Sequence, residues 1–309
     1  MDMLWILLPI AAAFFYMMSS FIDNYLTDVH FKRRDPAALV LTGVIAASLS
    51  VAVMLAWRGF DLVIGVDWVV AVGVGVAGFL NILAQVMYYR ALKVEDTTSV
   101  TIFAQLQSVM LLLLGVTLLG EDLTILQLLA FFLILSSAVM LVFNTTTKKK
   151  FQMGVKAGVL MLFACVMWAI GDVSFVWFGR GVERFEEIYV WYCLGVLLAL
   201  GFFTLTTKAW RRAIKCFFSD NRSYKMRVVL TNELFAVAAE MLYRVALLMM
   251  PVAIVGVVAT SGQLILTFVA GILLTMIVPT FGREKLERKK IFTHVLAIVL
   301  VIVGIILIH

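Results

Sequence analysis

Ten apolar stretches, each long enough to cross a hydrocarbon layer and joined by short polar connectors, account for most of this 309-residue chain. A helix rises 1.5 Å per residue, so roughly 20 residues span a layer about 30 Å thick. The stretches cover approximately 3–26, 37–57, 66–90, 97–120, 124–144, 153–179, 186–207, 226–248, 251–279 and 290–308. Leu, Ile, Val, Phe and Ala fill each of them without the alternation that marks barrel strands, and only helices satisfy their backbone donors within one segment where water is absent. The expected fold is therefore all-α and integral to a membrane. The longest polar stretch, Lys208 to Arg227, is too short for a separate domain. That excludes an aqueous enzyme carried on a membrane anchor.

Charge is sorted by loop. All but four of the 25 Lys and Arg residues follow stretches one, three, five, seven and nine; the exceptions are Arg58, Arg180, Arg184 and Arg244. Basic flanks are retained in the cytoplasm, so the odd-numbered loops are expected there, both termini outside, in a bacterial inner or plasma membrane. The net charge of +6 sits in short loops rather than on one basic face, which excludes a nucleic-acid reader. A 63% hydrophobic chain is likewise no disordered segment. The amino terminus, Met-Asp-Met-Leu-Trp, lacks the basic lead of a secretory signal and reads as the start of a retained helix.

Catalytic constellations are missing from the sequence. Cys165, Cys193 and Cys216 form no metal or disulfide spacing, and His30, His294 and His309 are equally scattered. There is no Gly-rich phosphate loop with Lys, no paired-aspartate motif and no His–carboxylate set, so neither enzymatic chemistry nor a cofactor is expected.

Polar groups inside the spans are the informative minority, because hydrocarbon tolerates them only beside a partner or a wet cavity. In the third stretch Asn81 and Gln85 lie four apart, followed by Tyr88 and Tyr89, which puts amides on one helical stripe. That stripe reads either as a hydrogen-bonding cavity wall or as glue between helices. In the eighth, Glu233, Glu240 and Arg244 share a face; Glu240 and Arg244 can pair, and either could hold an amino or carboxyl group of a ligand. Glu233, Glu240 and Asp172 are the candidates for carrying a proton. Trp168 and Asp172 share a face of the sixth stretch, where a cation held by the carboxylate could stack on the indole. Asp23 and Asn24 lie nearer the end of the first stretch and are weaker candidates. Ala71, Gly75 and Gly78 form a small-residue stripe better suited to helix contact than to binding.

The order of features repeats. Tyr89-Arg90-Ala91-Leu92 is followed by Gln105, Gln107 and Ser108, then Glu121, then an apolar helix. Tyr243-Arg244-Val245-Ala246-Leu247 is followed by Thr260, Ser261 and Gln263, then Glu284, then the last helix. This spacing suggests two five-helix units, 1–147 and 148–309. An odd number of spans per unit turns the second upside down, and polar patches such as Gln105, Gln107 and Gln263 then meet near the midplane.

At these residues the sequence resembles the drug/metabolite transporter superfamily, specifically its EamA-like ten-helix members. The resemblance rests on Tyr88-Tyr89-Arg90-Ala91-Leu92, the small-polar helix after it, Leu118-Leu119-Gly120-Glu121, and a second copy ending in Arg283-Glu284. It implies two inverted five-helix bundles around a central cavity that exports or exchanges small organic molecules. One departure stands out: a proline often found midway in the fourth and ninth helices is replaced by the neighbourhoods of Gln107–Ser108 and Gly262–Gln263.

The expected function is a secondary transporter of a small organic metabolite, such as an amino acid or related compound, working by alternating access. Its expected partners are that substrate and membrane lipid, with no nucleic acid, and a homodimer is compatible with the sequence. The alternatives are a polytopic enzyme or flippase acting on a lipid-linked substrate, and a non-transporting accessory protein. The substrate-pathway candidates are Asn81, Gln85, Tyr89, Gln105, Gln107, Trp168, Asp172, Glu240, Arg244 and Gln263.

Overall fold

A computed structural model of the chain describes residues 5–26, 36–94, 97–143, 148–208, 210–212 and 223–277, with isolated positions between 292 and 307. Among the described residues nine long helices follow in order: α1 Leu7–Tyr25, α2 Gly43–Arg58, α3 Trp68–Leu92, α4 Thr97–Leu118, α5 Ile125–Phe143, α6 Lys148–Gly179, α7 Phe185–Thr206, α8 Ser223–Met249 and α9 Val252–Ile277. They correspond to the first nine apolar stretches. Of the tenth, Phe292, Val295, Leu296, Val299 and Leu300 are among the residues described, and they are helical. Glu284 and Arg283 lie outside the described residues.

Local chemistry explains the helix ends. Pro36 opens a 3-10 turn, Pro36–Thr42, that leads into α2, where a missing N–H costs nothing. Asp67 caps α3 by accepting from the Val69 N–H at 2.7 Å. Before α5, the Thr124 N–H donates to Gln127 Oε1 at 2.9 Å and the Gln127 N–H to Thr124 Oγ1 at 3.3 Å, a reciprocal capping box.

Among the described residues five helical stretches are long and apolar enough to cross a membrane: Leu39–Arg58, Trp68–Leu92, Val155–Gly179, Phe185–Thr206 and Val252–Gly271. Leu7–Asp23, Phe103–Leu118 and Ile125–Ser137 are shorter apolar helices. The α8 helix has the length, but Glu233, Glu240 and Arg244 interrupt its apolar run. The chain is an all-helical integral membrane protein. Its outward surface agrees with that: Phe14, Val53, Val72, Phe132, Phe163 and Leu198 are exposed, as a lipid-facing belt would be. Trp57 and Trp68, on either side of the loop between α2 and α3, are exposed at the depth where indoles anchor to an interface.

Helix pairing is regular. The α3 helix packs on α6 and α7, and α8 packs on α1 and, more lightly, on α2. The α4 helix packs on α6 and α9, and α9 packs on α1 in turn. The α2 and α7 helices meet each other. The α3–α7 crossing depends on glycine, as the small-residue stripe suggested: a Cβ on Gly195 would stand 1.9 Å from the Gly75 carbonyl oxygen, and one on Gly78 would stand 2.0 Å from that of Tyr192. Backbone this close leaves no room for a side chain, and dispersion between the two helices replaces hydrophobic driving force in lipid. Gly195→Val is therefore expected to lower the thermal midpoint of the purified protein markedly, by an overpacking cost of about 1–3 kcal/mol or more. Gly201→Ala, on the same helix but with nothing within 4 Å, should leave it within error.

Candidate functional site

A cavity of about 220 Å³ lies where these helices converge, walled by every long helix except α5. Arg244 on α8 is the hub of its deeper end, 2% exposed. Its Nη1 donates to Asp172 Oδ1 of α6 at 2.7 Å, its Nε to Glu240 Oε1 at 2.8 Å and its Nη2 to the Tyr192 hydroxyl of α7 at 3.1 Å. The remaining carboxylate oxygens are also met. Asp172 Oδ2 accepts from Tyr243 at 2.8 Å and from Gln107 Nε2 of α4 at 2.9 Å, and Glu240 Oε2 accepts from Tyr16 of α1 at 2.7 Å.

Tyr192 completes the circuit. Its hydroxyl donates to Glu240 Oε1 at 2.6 Å and accepts from Asn81 Nδ2 of α3 at 2.6 Å, while Asn81 Oδ1 accepts from the Trp168 indole at 2.8 Å. Every hydrogen-bonding group of this cluster has a partner of the right kind, as a polar network in low dielectric requires. The guanidinium carbon also lies 4.4 Å from the ring centre of Tyr192, 5.0 Å from Phe175 and 5.8 Å from Tyr243. A cation does stack on aromatic rings beside Asp172, but that cation is Arg244, and the Trp168 indole instead orients Asn81.

A second polar group occupies the other end. Asp23 Oδ1 accepts from the Tyr89 hydroxyl at 3.1 Å and from Asn232 Nδ2 at 2.9 Å, and Asn232 Oδ1 accepts from Ser19 at 3.0 Å. Glu233, next to Asn232 in sequence, is hydrogen-bonded to the Thr42 hydroxyl. Gln263 of α9 donates to Ser20 at 2.9 Å. These residues come from the end of α1, the entry to α2, the end of α3 and the first half of α8. The cavity thus extends toward the face that carries the odd-numbered loops.

At the opposite face a carboxylate ties helix ends together. Gly120, in the left-handed region at φ +66°, reverses the chain after α4 so that the Glu121 N–H reaches back to the Gly115 carbonyl at 3.1 Å. The Glu121 side chain then accepts from the first N–H of α9, Val252, at 2.9 Å and from Arg180 Nη2 at 3.2 Å. One carboxylate thereby clasps the end of α4, the start of α9 and the loop after α6, with the helix N-terminus favouring its negative charge. This is the local reason for the Leu-Leu-Gly-Glu sequence.

All the candidates except Gln105 line the one cavity: Asn81, Gln85, Tyr89, Gln107, Trp168, Asp172, Glu233, Glu240, Arg244 and Gln263 are in its wall. Gln105 instead ties α4 to α9, with Nε2 donating to the Thr260 carbonyl at 2.8 Å and Oε1 accepting from Ser261 at 3.1 Å. Asp23 is also in the wall, whereas the side chain of Asn24 lies outside the described residues. Sequence reasoning passed over Tyr16, Tyr192, Thr42 and Asn232, and named Tyr243 only as part of the repeated Tyr-Arg motif. Among the described residues no group of His, Cys, Asp and Glu could hold a metal.

Comparison with known proteins agrees with this architecture. Residues 3–143 match the EamA-like transporter family. This part of the chain is an EamA-like transporter domain, of the drug/metabolite transporter superfamily. No curated protein matches the chain. Among solved structures 28 chains match, and one of them, a crystal structure, is 17% identical over 99% of this chain and 96% of its own, with a TM-score of 0.64. The fold likeness therefore runs through both halves, beyond the EamA-like domain.

Removing Arg244 alone should be severe. Arg244→Met strands Asp172 and Glu240 without a cation, a loss of about 3–5 kcal/mol for a broken buried pair. The triple variant Asp172→Asn, Glu240→Gln, Arg244→Met is expected to unfold at a higher temperature than the single one, as measured by thermal unfolding in detergent.

Proposed function

We propose that this chain is a secondary transporter of a small organic metabolite, such as an amino acid or related compound, and that it works by alternating access. The observation that carries this reading is that the polar residues of eight helices meet around one cavity in a fold whose first half is an EamA-like transporter domain. The family is one of transporters rather than enzymes, and a cavity extending toward one face, with Glu121 tying helix ends together at the other, supports such a cycle.

The architecture we infer is ten helices in two inverted five-helix repeats, 1–147 and 148–309. Helix pairing supports it: exchanging each helix for the one five places along converts α3–α6 into α8–α1 and α4–α6 into α9–α1, and leaves α4–α9 and α2–α7 unchanged. Side chains follow the same exchange. Tyr89 to Asp23 corresponds to Tyr243 to Asp172, and Gln263 reaching α1 corresponds to Gln107 reaching α6. We place the odd-numbered loops in the cytoplasm on their basic residues, so the cavity faces inward in this conformation.

Of the three proton candidates, Asp172 and Glu240 share Arg244, whereas Glu233 is bonded to a neutral hydroxyl. The proton role falls to Glu233. Purified protein in sealed liposomes should release or accumulate at least one labelled compound from a metabolite panel; no protein-dependent flux across the whole panel would overturn the transporter reading. For a compound that is carried, Glu233→Gln is expected to flatten the dependence of flux on pH. A profile matching that of the unaltered protein would remove the proton route.

A further inference from the structure

Tyrosine meets aspartate twice in this cavity, and the two meetings differ in one respect. Tyr243 donates to Asp172 at 2.8 Å and Tyr89 donates to Asp23 at 3.1 Å, and each tyrosine is followed by arginine. Arg244 turns inward onto Asp172 at 2.7 Å, whereas Arg90 is exposed. Asp172 therefore holds a guanidinium, while Asp23 is met by a phenol and an amide. Glu233, at the same end of the cavity, is met by the Thr42 hydroxyl. Asp23 is 5% exposed and Glu233 8%, and among the described residues no Lys or Arg stands within ion-pair distance of either.

We propose that the cavity takes an organic cation, whose protonated amine sits at Asp23 and Glu233 in the place that Arg244 fills at Asp172. The proposal rests on the transporter reading and narrows its substrate class. Four carboxylates line the cavity, Asp23, Asp172, Glu233 and Glu240, against Arg244 as the cation in the described wall. That cation is not available to a ligand. Each of its three nitrogens already donates, to two carboxylates and a phenol, and aromatic rings cover it. A substrate carboxylate entering here would meet like charge, so a zwitterion gains nothing from its acidic end.

The surroundings of Asp23 suit an ammonium group. The rings of Tyr88 and Tyr89 lie 5.2 Å apart, and Trp168 lies 5.9 Å from Tyr88, which forms an aromatic wall beside the carboxylates. The Arg244 site shows the same recipe already at work in this molecule, a cation held by acids and faced by tyrosines. Gln85 lines the wall with no hydrogen-bond partner among the described residues, which leaves an amide for a polar group of the ligand.

Three probes sharing one ring separate the charge classes: tritiated phenethylamine, phenylalanine and 3-phenylpropionate, in equilibrium binding to the detergent-purified full chain and in counterflow into sealed vesicles. The amine is expected to bind at least tenfold more tightly than the zwitterion or the anion. Asp23→Asn and Glu233→Gln should each weaken it at least tenfold. Equal or tighter binding of phenylalanine or 3-phenylpropionate overturns the proposal, as does binding of none of the three. So does unchanged amine affinity in a variant whose thermal midpoint shows that it folds. Because the preference among probes is read on the unaltered protein, misfolding of both variants leaves the test decisive. Amine binding without protein-dependent counterflow keeps the cation site and removes the transporter reading, whereas preferred flux of the zwitterion does the reverse.

Discussion

A guanidinium cannot remain in hydrocarbon unless its charge and its donors are met, and the centre of this molecule is arranged around meeting them for Arg244. Two carboxylates, from α6 and from one turn earlier on α8, share the charge at 2.7 and 2.8 Å. Their other oxygens need donors, which come from α1, α4 and α8 itself, and Tyr192 of α7 adds a second donor to the Glu240 Oε1 that Arg244 meets. Asn81 of α3 and Trp168 of α6 extend the chain of bonds further. Six helices are thus placed relative to one another by a single cation.

Side chains can reach one another in this way only if the helices stand close. In lipid there is little hydrophobic gain from pressing helices together, so closeness comes from small residues that let backbones touch. Gly75, Gly78 and Gly195 supply it between α3 and α7, and Gly171, whose Cβ would lie 3.2 Å from the Ala77 carbonyl, supplies it between α3 and α6. These contacts bring Asn81 and Tyr192 within a hydrogen bond of each other. Small residues and buried polar residues are therefore one device: the first sets the spacing, and the second uses it. The Glu121 clasp applies the same economy at the opposite face, where Gly115 leaves room for the carboxylate against the helix end.

Much of the helix layout was legible in the sequence because hydrocarbon imposes length and apolarity together, and the apolar runs match α1 to α9 to within a few residues. The main departures are α2, whose α-helix starts at Gly43 rather than near 37 because Pro36–Thr42 winds as a 3-10 turn, and α6, which starts at Lys148 rather than near 153 because a helix can continue into polar surroundings that a hydropathy boundary stops at. The ionisable wall residues were legible for the same reason: a charge in an apolar run has few places to be. The tyrosines were not. Tyr16 and Tyr192 carry no signal of their own in the sequence and Tyr243 stands there only in the repeated Tyr-Arg motif, and only the fold reveals that their hydroxyls satisfy the carboxylates. Gln105 and Gln107 mark the other limit. They are identical in type but two positions apart, about 200° around a helix, so one faces α9 and the other the cavity. Sequence spacing gives that angle but not the direction in which the cavity lies.

If the halves are inverted repeats, the cavity should have two equivalent ends, and what distinguishes them is where chemistry can differ between substrate and protein. Tyrosine and aspartate occur at both ends; the inward arginine occurs at one. Duplication would supply a matched pair of sites, and filling one of them with a fixed side chain gives the cavity a direction. A ligand with one distinctive group then has a single end at which to place it. The internal cation also ties the helices together at the deeper end, while the end near Asp23 and Glu233 relies on lighter bonds to Thr42, Tyr89 and Asn232, which come from three different helical elements. Those bonds are fewer and lighter than the ones that meet at Arg244, so parting the helices costs less there. The end of the cavity suited to accepting a ligand is therefore also the end suited to moving.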